Sequence, residues 1–399
     1  MIYAPAIERR LILSLLVAFA VMASGAVAAA DPTTLVGAAL SADTPGEVTD
    51  RATRVSPPLR SLTVLAGGDV LTEARVRAPA AAYGAASGQR FDFRPMFAEL
   101  RDVLEAVDLS ICNMEIPVGR PGEAAGFVGR SPFGGNLLRA PHEVAQGLAD
   151  VGFDRCSTAS NHSFDVGVTG LASTIEALQG AGISTVGTAR HPAEAVDQIF
   201  EVDGVRVAHL AFTNYSNTVV PAEAWRLNYT RRAGPIVAAI ADVRARGAEV
   251  VMLSLHVSKE LEEQPAPTDR ALVTEIAALA DVDAVFVHGP HVVQPVERVN
   301  GVPVWWSLGN FVSEMGPPSV GRYASPRTSD GLLAFVEFVE VAPGEFVDRP
   351  ESIAICNDFS DRTVRAASVS LRRADLSPRV RLELLACAER TQRLVPNAK

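Results

Sequence analysis

From residue 61 onward, short apolar runs at strand period alternate with longer segments whose apolar residues recur every three or four positions. SLTVLAGGDV (61–70) predicts a buried strand ending in a turn, and FRPMFAELRDVLEAV (93–107) has helical spacing. DLSICNMEIPVG (108–119) predicts a second strand, stopped by Pro117 and Gly119, and PHEVAQGLADVG (141–152) a helix led by Pro141. FDRCSTASNHSFDVG (153–167) runs from a strand into a polar loop, followed by a helix over 168–182 and a strand over 183–189. Hairpins are predicted within 200–216, turning at Asp203-Gly204, and within 296–311, turning at Asn300-Gly301. Between them, helices over 235–247 and 269–282 alternate with strands over 248–258 and 283–291. A strand over 331–341 and a helix over 377–394 close the pattern. βα units mixed with hairpins predict an α/β fold with a partly mixed sheet.

The first 60 residues follow other rules. Residues 1–10 end in Arg9-Arg10, and residues 11–30 carry neither charge nor proline. Small residues then stand at Ala26-Val27-Ala28 and Ala28-Ala29-Ala30, the pattern of a cleavable signal peptide; an apolar run of this length also satisfies a retained N-terminal anchor. Both readings make the body exported, periplasmic or extracytoplasmic, or held at a membrane by its N-terminus. Residues 31–60, rich in Pro, Thr, Ala and Asp, read as a flexible linker.

Composition narrows the function classes. Of 399 residues, 48% are hydrophobic and 21% charged, enough for a full core and too apolar for global disorder. The net charge of −10, with no Lys/Arg cluster, excludes nucleic acid as the main partner. One small basic group, Arg226, Arg231 and Arg232, reads either as a groove wall or as a solvated loop. Cys112 and Cys156 fall in predicted core strands and read as small buried apolar residues, while Cys356 and Cys387 leave a disulfide open. Neither a G-x-S-x-G elbow nor a phosphate-binding G-x-x-x-x-G-K-[ST] loop is present.

The chemistry gathers at strand ends. Asp69, Asn113 and Glu115, Asn161 and His162, His256, and His288 and His291 each follow an apolar run. In open α/β sheets the ligand crevice lies at the carboxyl ends of the strands, so separate strands would deliver these groups to one edge. Mixed Asp, Glu, Asn and His ligands suit a divalent metal ion, Mn, Zn or Fe. Asp165 reads either as a partner of His162 or as the cap of the helix beginning near Val168.

In this order the motifs resemble the CapA family of bacterial capsule biosynthesis proteins, linked to poly-γ-glutamate. The resemblance rests on GGDV (67–70), DLSICNMEIP (108–117), RAPHEVAQGLADVGFD (139–154), ASNHSFDVG (159–167) and GLASTIEALQGAGISTVG (170–187). It continues through Leu255-His256 with Glu260, GPHVVQPVE (289–297) and SLGNF (307–311). It implies a four-layer α/β/β/α sandwich similar to calcineurin-like metallophosphoesterases over 61–345, followed by a C-terminal helical extension over 346–399. Carried over residue by residue, it implies metal or phosphate contacts at Asp69, Glu115, Asn161, His256 and His291. It implies a catalytic His162 with Asp165, and supporting or substrate-binding roles for Asn113, Glu260, His288 and Asn310. The implied activity is metal-dependent hydrolysis of a phosphoester or of an anionic polymer. The alternative is a non-catalytic envelope protein that binds such a polymer or a membrane synthase complex. This chain departs from the family at three places. Gly289-Pro290-His291 stands for His-Pro-His, Lys259 lies within the motif that runs from His256 to Glu260, and Ser160 replaces a frequent Asn. Strand alternation puts His288 on the face opposite to the missing histidine.

Overall fold

In the computed structural model, which describes residues 59–399, two sheets face each other across one apolar core. The expected signal or anchor segment and nearly all of the linker lie outside the described residues. The first sheet is centred on β1 (Ser61–Val70). On one side β1 runs parallel to β2 (Leu109–Met114), and beyond it lie β5 (Arg155–Ser157) and β6 (Ser184–Val186). On the other side it is antiparallel to β14 (Asp330–Ala342), which leads to β15 (Glu345–Asn357) and β16 (Val364–Ala366).

The second sheet holds, in spatial order, β11 (Val296–Val299), β12 (Val302–Trp305), β10 (Ala284–His288), β9 (Val250–His256), β8 (Val205–Thr213) and β7 (Ile199–Val202). Its four inner strands are parallel and its edges antiparallel, as the two predicted hairpins require. Leu62 and Val64 of β1, Val207 of β8, Met252 of β9, Phe286 of β10 and Trp305 of β12 fill the space between the sheets. On the outer face of the second sheet, α4 (Ala233–Ala245) and α5 (Pro267–Leu279) bury Ile236, Ile240, Val273 and Ile276 against Val251, Leu253 and Val285. On the outer face of the first, α2 (Val144–Val151) and α3 (Gly167–Gly180) join the short helix Arg94–Phe97, and Phe97 and Phe153 pack on Phe311 of β13 (Asn310–Val312). The result is the four-layer α/β/β/α sandwich that the sequence led us to expect.

Several details depart from expectation. Residues 93–107 form one-turn helices, Arg94–Phe97 and Arg101–Leu104, on either side of a tighter 3₁₀ turn. A helix α1 (Ala74–Ser87) and a hairpin of β3 (Gly126–Arg130) and β4 (Asn136–Arg139) stand where no element was expected. The segment 346–399 is not a separate helical extension. It begins inside β15, which pairs with β14 along its whole length, before α6 (Pro378–Leu394) folds back on β15. Cys112 and Cys156 are not isolated thiols. They are register partners on β2 and β5 with Cα atoms 4.4 Å apart, and they form a disulfide. A second disulfide, Cys356–Cys387, ties α6 to β15. Among the described residues no helix is long and apolar enough to cross a membrane.

The two glycines of β1 explain how the sheet delivers its first functional residue. β1 pairs with β14 as far as Gly67, then leaves it and takes up β13 in parallel, with Asp69 opposite Asn310. A Cβ on Gly68 would stand 2.2 Å from the Gly309 carbonyl oxygen, so no larger residue fits this crossing. The Asp69 amide donates to that same oxygen at 3.0 Å.

Candidate metal centre

The carboxyl ends of β1, β2, β9 and β10 and the first residue of β13, Asn310, converge on one buried cluster. Asp69 and Asn113 are register partners, as are His256 and His288. Asn113 Nδ2 donates to Asp69 Oδ1 at 2.9 Å, and the Gly289 amide donates to Asp69 Oδ2 at 3.1 Å. His291 Nδ1 lies 3.2 Å from Asp69 Oδ2 and 3.0 Å from Asn310 Oδ1. His288 Nδ1 lies 3.6 Å from Asp69 Oδ1. The expectation that His288 faces away is therefore corrected. Gly289, at φ 101, ends the strand, so His288 keeps the inward direction of His256 while His291 turns back to the other oxygen of Asp69.

Glu115, one residue beyond β2, faces three imidazoles. Its Oε1 is 3.7 Å from His291 Nε2 and 3.9 Å from both His256 Nε2 and His162 Nε2. These gaps are too long for hydrogen bonds. They match the separation of two ligands that each sit about 2.0–2.2 Å from a shared ion. Asp69, Glu115 and His291 each offer a ligand atom within 4.8 Å of the others. Both Glu115 carboxylate oxygens, Asn161 Oδ1 and His256 Nδ1 are buried without a hydrogen-bond partner. Buried polar atoms are almost always satisfied, so this orphaned set of hard and borderline donors fits a divalent cation.

The charge state of the cluster reflects its burial. Burial pushes the Glu115 carboxyl well above the usual range, and the neighbouring Asp69 adds to this. Asp69 resists its own burial because His288 and His291 hold its carboxylate, which keeps it well below the usual range. Burial depresses His256 to about 3, so it is a neutral imidazole. His291 is raised against its burial to about 10 by Glu115 and Asp69.

His162 stands at the rim of the cluster. Its Nδ1 is 2.5 Å from Asp165 Oδ2, and that oxygen also accepts from the Leu138 amide of β4 at 2.7 Å. Asp165 thus partners His162. Helix α3 begins at Gly167 with no side-chain cap. Asn217, which sequence reasoning passed over, fixes the neighbourhood. Its Oδ1 accepts from Asn161 Nδ2 at 3.2 Å, which leaves Asn161 Oδ1 free, and its Nδ2 reaches both ring nitrogens of His162 at 3.2 Å. The available signal was its place in the polar run just after β8, the same strand-end rule that found the others. Glu260 does not join the cluster. It accepts from Tyr323 at 2.8 Å and pairs with Arg322 at the mouth of the cleft. That cleft, about 500 Å³, runs from His162, Asn161 and His291 out to α1 and the β3–β4 hairpin.

Residues 63–315 match the family model described as bacterial capsule synthesis protein PGA_cap. The chain is 28% identical over 218 residues to the PGA biosynthesis protein CapA of Bacillus subtilis (strain 168), covering 54% of this chain and 55% of that protein. It is 27% identical over 184 residues to the capsule biosynthesis protein CapA of Bacillus anthracis, covering 45% of this chain and 44% of that one. A probable polyglutamine synthesis accessory protein of Mycobacterium tuberculosis is 27% identical over 271 residues, 64% of this chain and 68% of the relative. The matches thus span about half the length of the Bacillus relatives. Among solved structures, the calcineurin-like phosphoesterase YfkN of Bacillus subtilis is similar with a TM-score of 0.42 at 12% identity, covering 84% of this chain and 99% of that one.

Proposed function

The chain belongs to the bacterial capsule synthesis protein PGA_cap family, and from that membership we propose an exported, metal-dependent hydrolase of capsule or cell-envelope polymer metabolism, of the poly-γ-glutamate type. The names of the Bacillus and Mycobacterium relatives, PGA biosynthesis, capsule biosynthesis and polyglutamine synthesis, support the polymer class. Export is the reading of residues 1–30, which lie outside the described residues. The observation that carries the catalytic reading is Glu115, a buried carboxylate with neither oxygen satisfied, surrounded by three imidazoles.

Asp69, Glu115, Asn161, His256 and His291 would hold a divalent ion, Mn, Zn or Fe. When bound, such an ion supplies Lewis acidity and lowers the pKa of a nearby water. The other parts belong to the chain itself. Asp165 fixes Nδ1 of His162 and leaves Nε2 to donate a proton to the leaving group. Asn113 and the Gly289 amide hold the Asp69 carboxylate in place. Asn310 is anchored by the Thr328 carbonyl at 2.8 Å and orients His291. One observation favours the second reading, a non-catalytic protein that holds an anionic polymer or docks on a membrane synthase. At Gly289, where the family carries a histidine, a Cβ would meet the Val257 carbonyl oxygen at 2.2 Å.

Metal content and turnover separate the two. For the enzyme we expect about one or two equivalents of transition metal by mass spectrometry, lost in His256→Ala, and manganese-stimulated hydrolysis of bis-p-nitrophenyl phosphate. His162→Ala then lowers the rate about 10²- to 10⁴-fold, as loss of a general acid does. Polymer binding with no turnover in any metal would establish the second reading instead.

A further inference from the structure

The outer half of the cleft contains chemistry that the histidine cluster does not use. Arg75 and Arg77, in the first turn of α1, both line it. Arg75 Nη1 donates to Ser319 Oγ at 2.9 Å and Arg77 Nη1 to the Thr72 carbonyl at 2.7 Å. Neither guanidinium has a carboxylate within ion-pair distance among the described residues, whereas the partly buried Arg365 and Arg390 are paired. The buried Arg155 and Arg362 also lack an ion pair, but Arg362 spends its donors on three loop carbonyls and Arg155 on His209 and Ser184. Each guanidinium carries five donors, so most of theirs are uncommitted. Gly126 makes room for the Arg77 head: a Cβ there would stand 2.6 Å from Nη2. The carboxylates nearby are already engaged by the loops. Glu73 accepts from the Glu314 amide at 3.1 Å, and Glu314 accepts from the Arg75 amide at 3.1 Å. Burial lowers the pKa of Arg77, as expected for a cation short of solvent.

We propose that Arg75 and Arg77 form an anion subsite, which binds a carboxylate or phosphate of an extended polyanionic chain while another part of that chain lies at the histidine cluster. The inference rests on the polymer reading above and adds which residues grip the polymer. A cleft of about 500 Å³ exceeds what a single phosphate fills and suits several repeat units. Uncommitted guanidinium groups that are half-buried in a cleft wall bind anionic oxygen through charge-assisted, often bidentate, hydrogen bonds.

The test is equilibrium binding to the full chain, read by fluorescence anisotropy with two labelled probes, a γ-linked glutamate oligomer and a short polyphosphate. It is run in chelator and repeated in His256→Ala, so that it does not depend on metal or turnover. Arg77→Met and Arg75→Met should each raise Kd about tenfold or more. Arg231→Met, on an exposed loop, should leave Kd within twofold. Arginine-dependent binding of the glutamate oligomer supports the subsite with carboxylate as its ligand, and of polyphosphate alone supports it with phosphate. A Kd within twofold of wild type for both probes in both Arg variants, at unchanged melting temperature, overturns it. If Arg77→Met fails to fold through loss of its bond to Thr72, Arg75→Met alone decides. Metal loss in His256→Ala with arginine-dependent binding intact leaves the subsite standing, and the reverse pattern removes the subsite without touching the metal reading.

Discussion

Gly289 stands where the family pattern asks for a histidine, and the backbone around it is arranged for the glycine. Its φ of 101 lies where L side chains are strained. The space a Cβ would need is held by the Val257 carbonyl at 2.2 Å and the His256 ring at 2.9 Å. Its amide instead serves Asp69 Oδ2. Gly289→Ala should therefore lower stability by about 2–4 kcal/mol, the sum of left-handed strain and overpacking. Urea unfolding of the chelated protein measures this, and an unchanged midpoint would show that the loop relaxes freely. Gly289→His should likewise fail to raise metal content. Most of the cluster was legible from the sequence because Asp69, Asn113, Glu115, His256 and His291 end or follow apolar runs. The direction of His288 was not, because strand alternation predicts a side chain only while the strand continues. Asn217 was hidden because its role depends on contact with Asn161 and His162, more than 50 positions away.

Elements with a strong apolar period were legible and the others were not. β1, β9 and β10 are continuous apolar runs, and α3 and α5 repeat at helical spacing. Helix α1 carries Pro79 and is half alanine, so it has little amphipathic contrast. β15 interleaves charged residues with apolar ones in its first half and gains its strand identity from pairing with β14. The junction of β14 with α6 makes a testable case. Asp330, the first residue of β14, accepts two bonds from Arg390 of α6, both at 2.7 Å. Burial nonetheless outweighs the arginine and raises the Asp330 carboxyl to about 6. Its folded pKa thus lies above its unfolded value near 3.9. Between those values the native state binds more protons than the unfolded chain, so stability falls as pH rises from about 4 through 6. Asp330→Asn cannot titrate and lacks this slope. The stability of wild type relative to Asp330→Asn should therefore decline by about 2 kcal/mol from pH 4 to pH 7. Denaturant unfolding at several pH values measures it, and parallel curves would mean that Arg390 fully compensates the burial.

At the scale of the whole molecule, the cluster is a junction between the two sheets. Asp69, Asn113 and Asn310 come from the first sheet, and His256 and His288 from the second, with Glu115 and His291 on the turns that follow. Drawing the sheets together therefore brings Asp69 and an unsatisfied Glu115 into one apolar interior. Burying a carboxylate without a partner is costly, and a cation bound only by the folded state reverses that cost. Metal should thus act on global stability as well as on the site. At about a thousandfold excess over Kd the gain is about 4 kcal/mol. For a chain of this size it should appear as a rise in melting temperature on the order of 5–10 °C, reversed by chelator. Glu115→Gln separates the two contributions. It keeps the shape and removes the charge, so at pH 8 the metal-free variant should melt above metal-free wild type, by an amount equivalent to about 1–3 kcal/mol. The same variant should lose the shift on adding manganese or zinc. A variant that melts below wild type without metal, or that keeps the full shift, would show that Glu115 is satisfied in solution by something other than a cation.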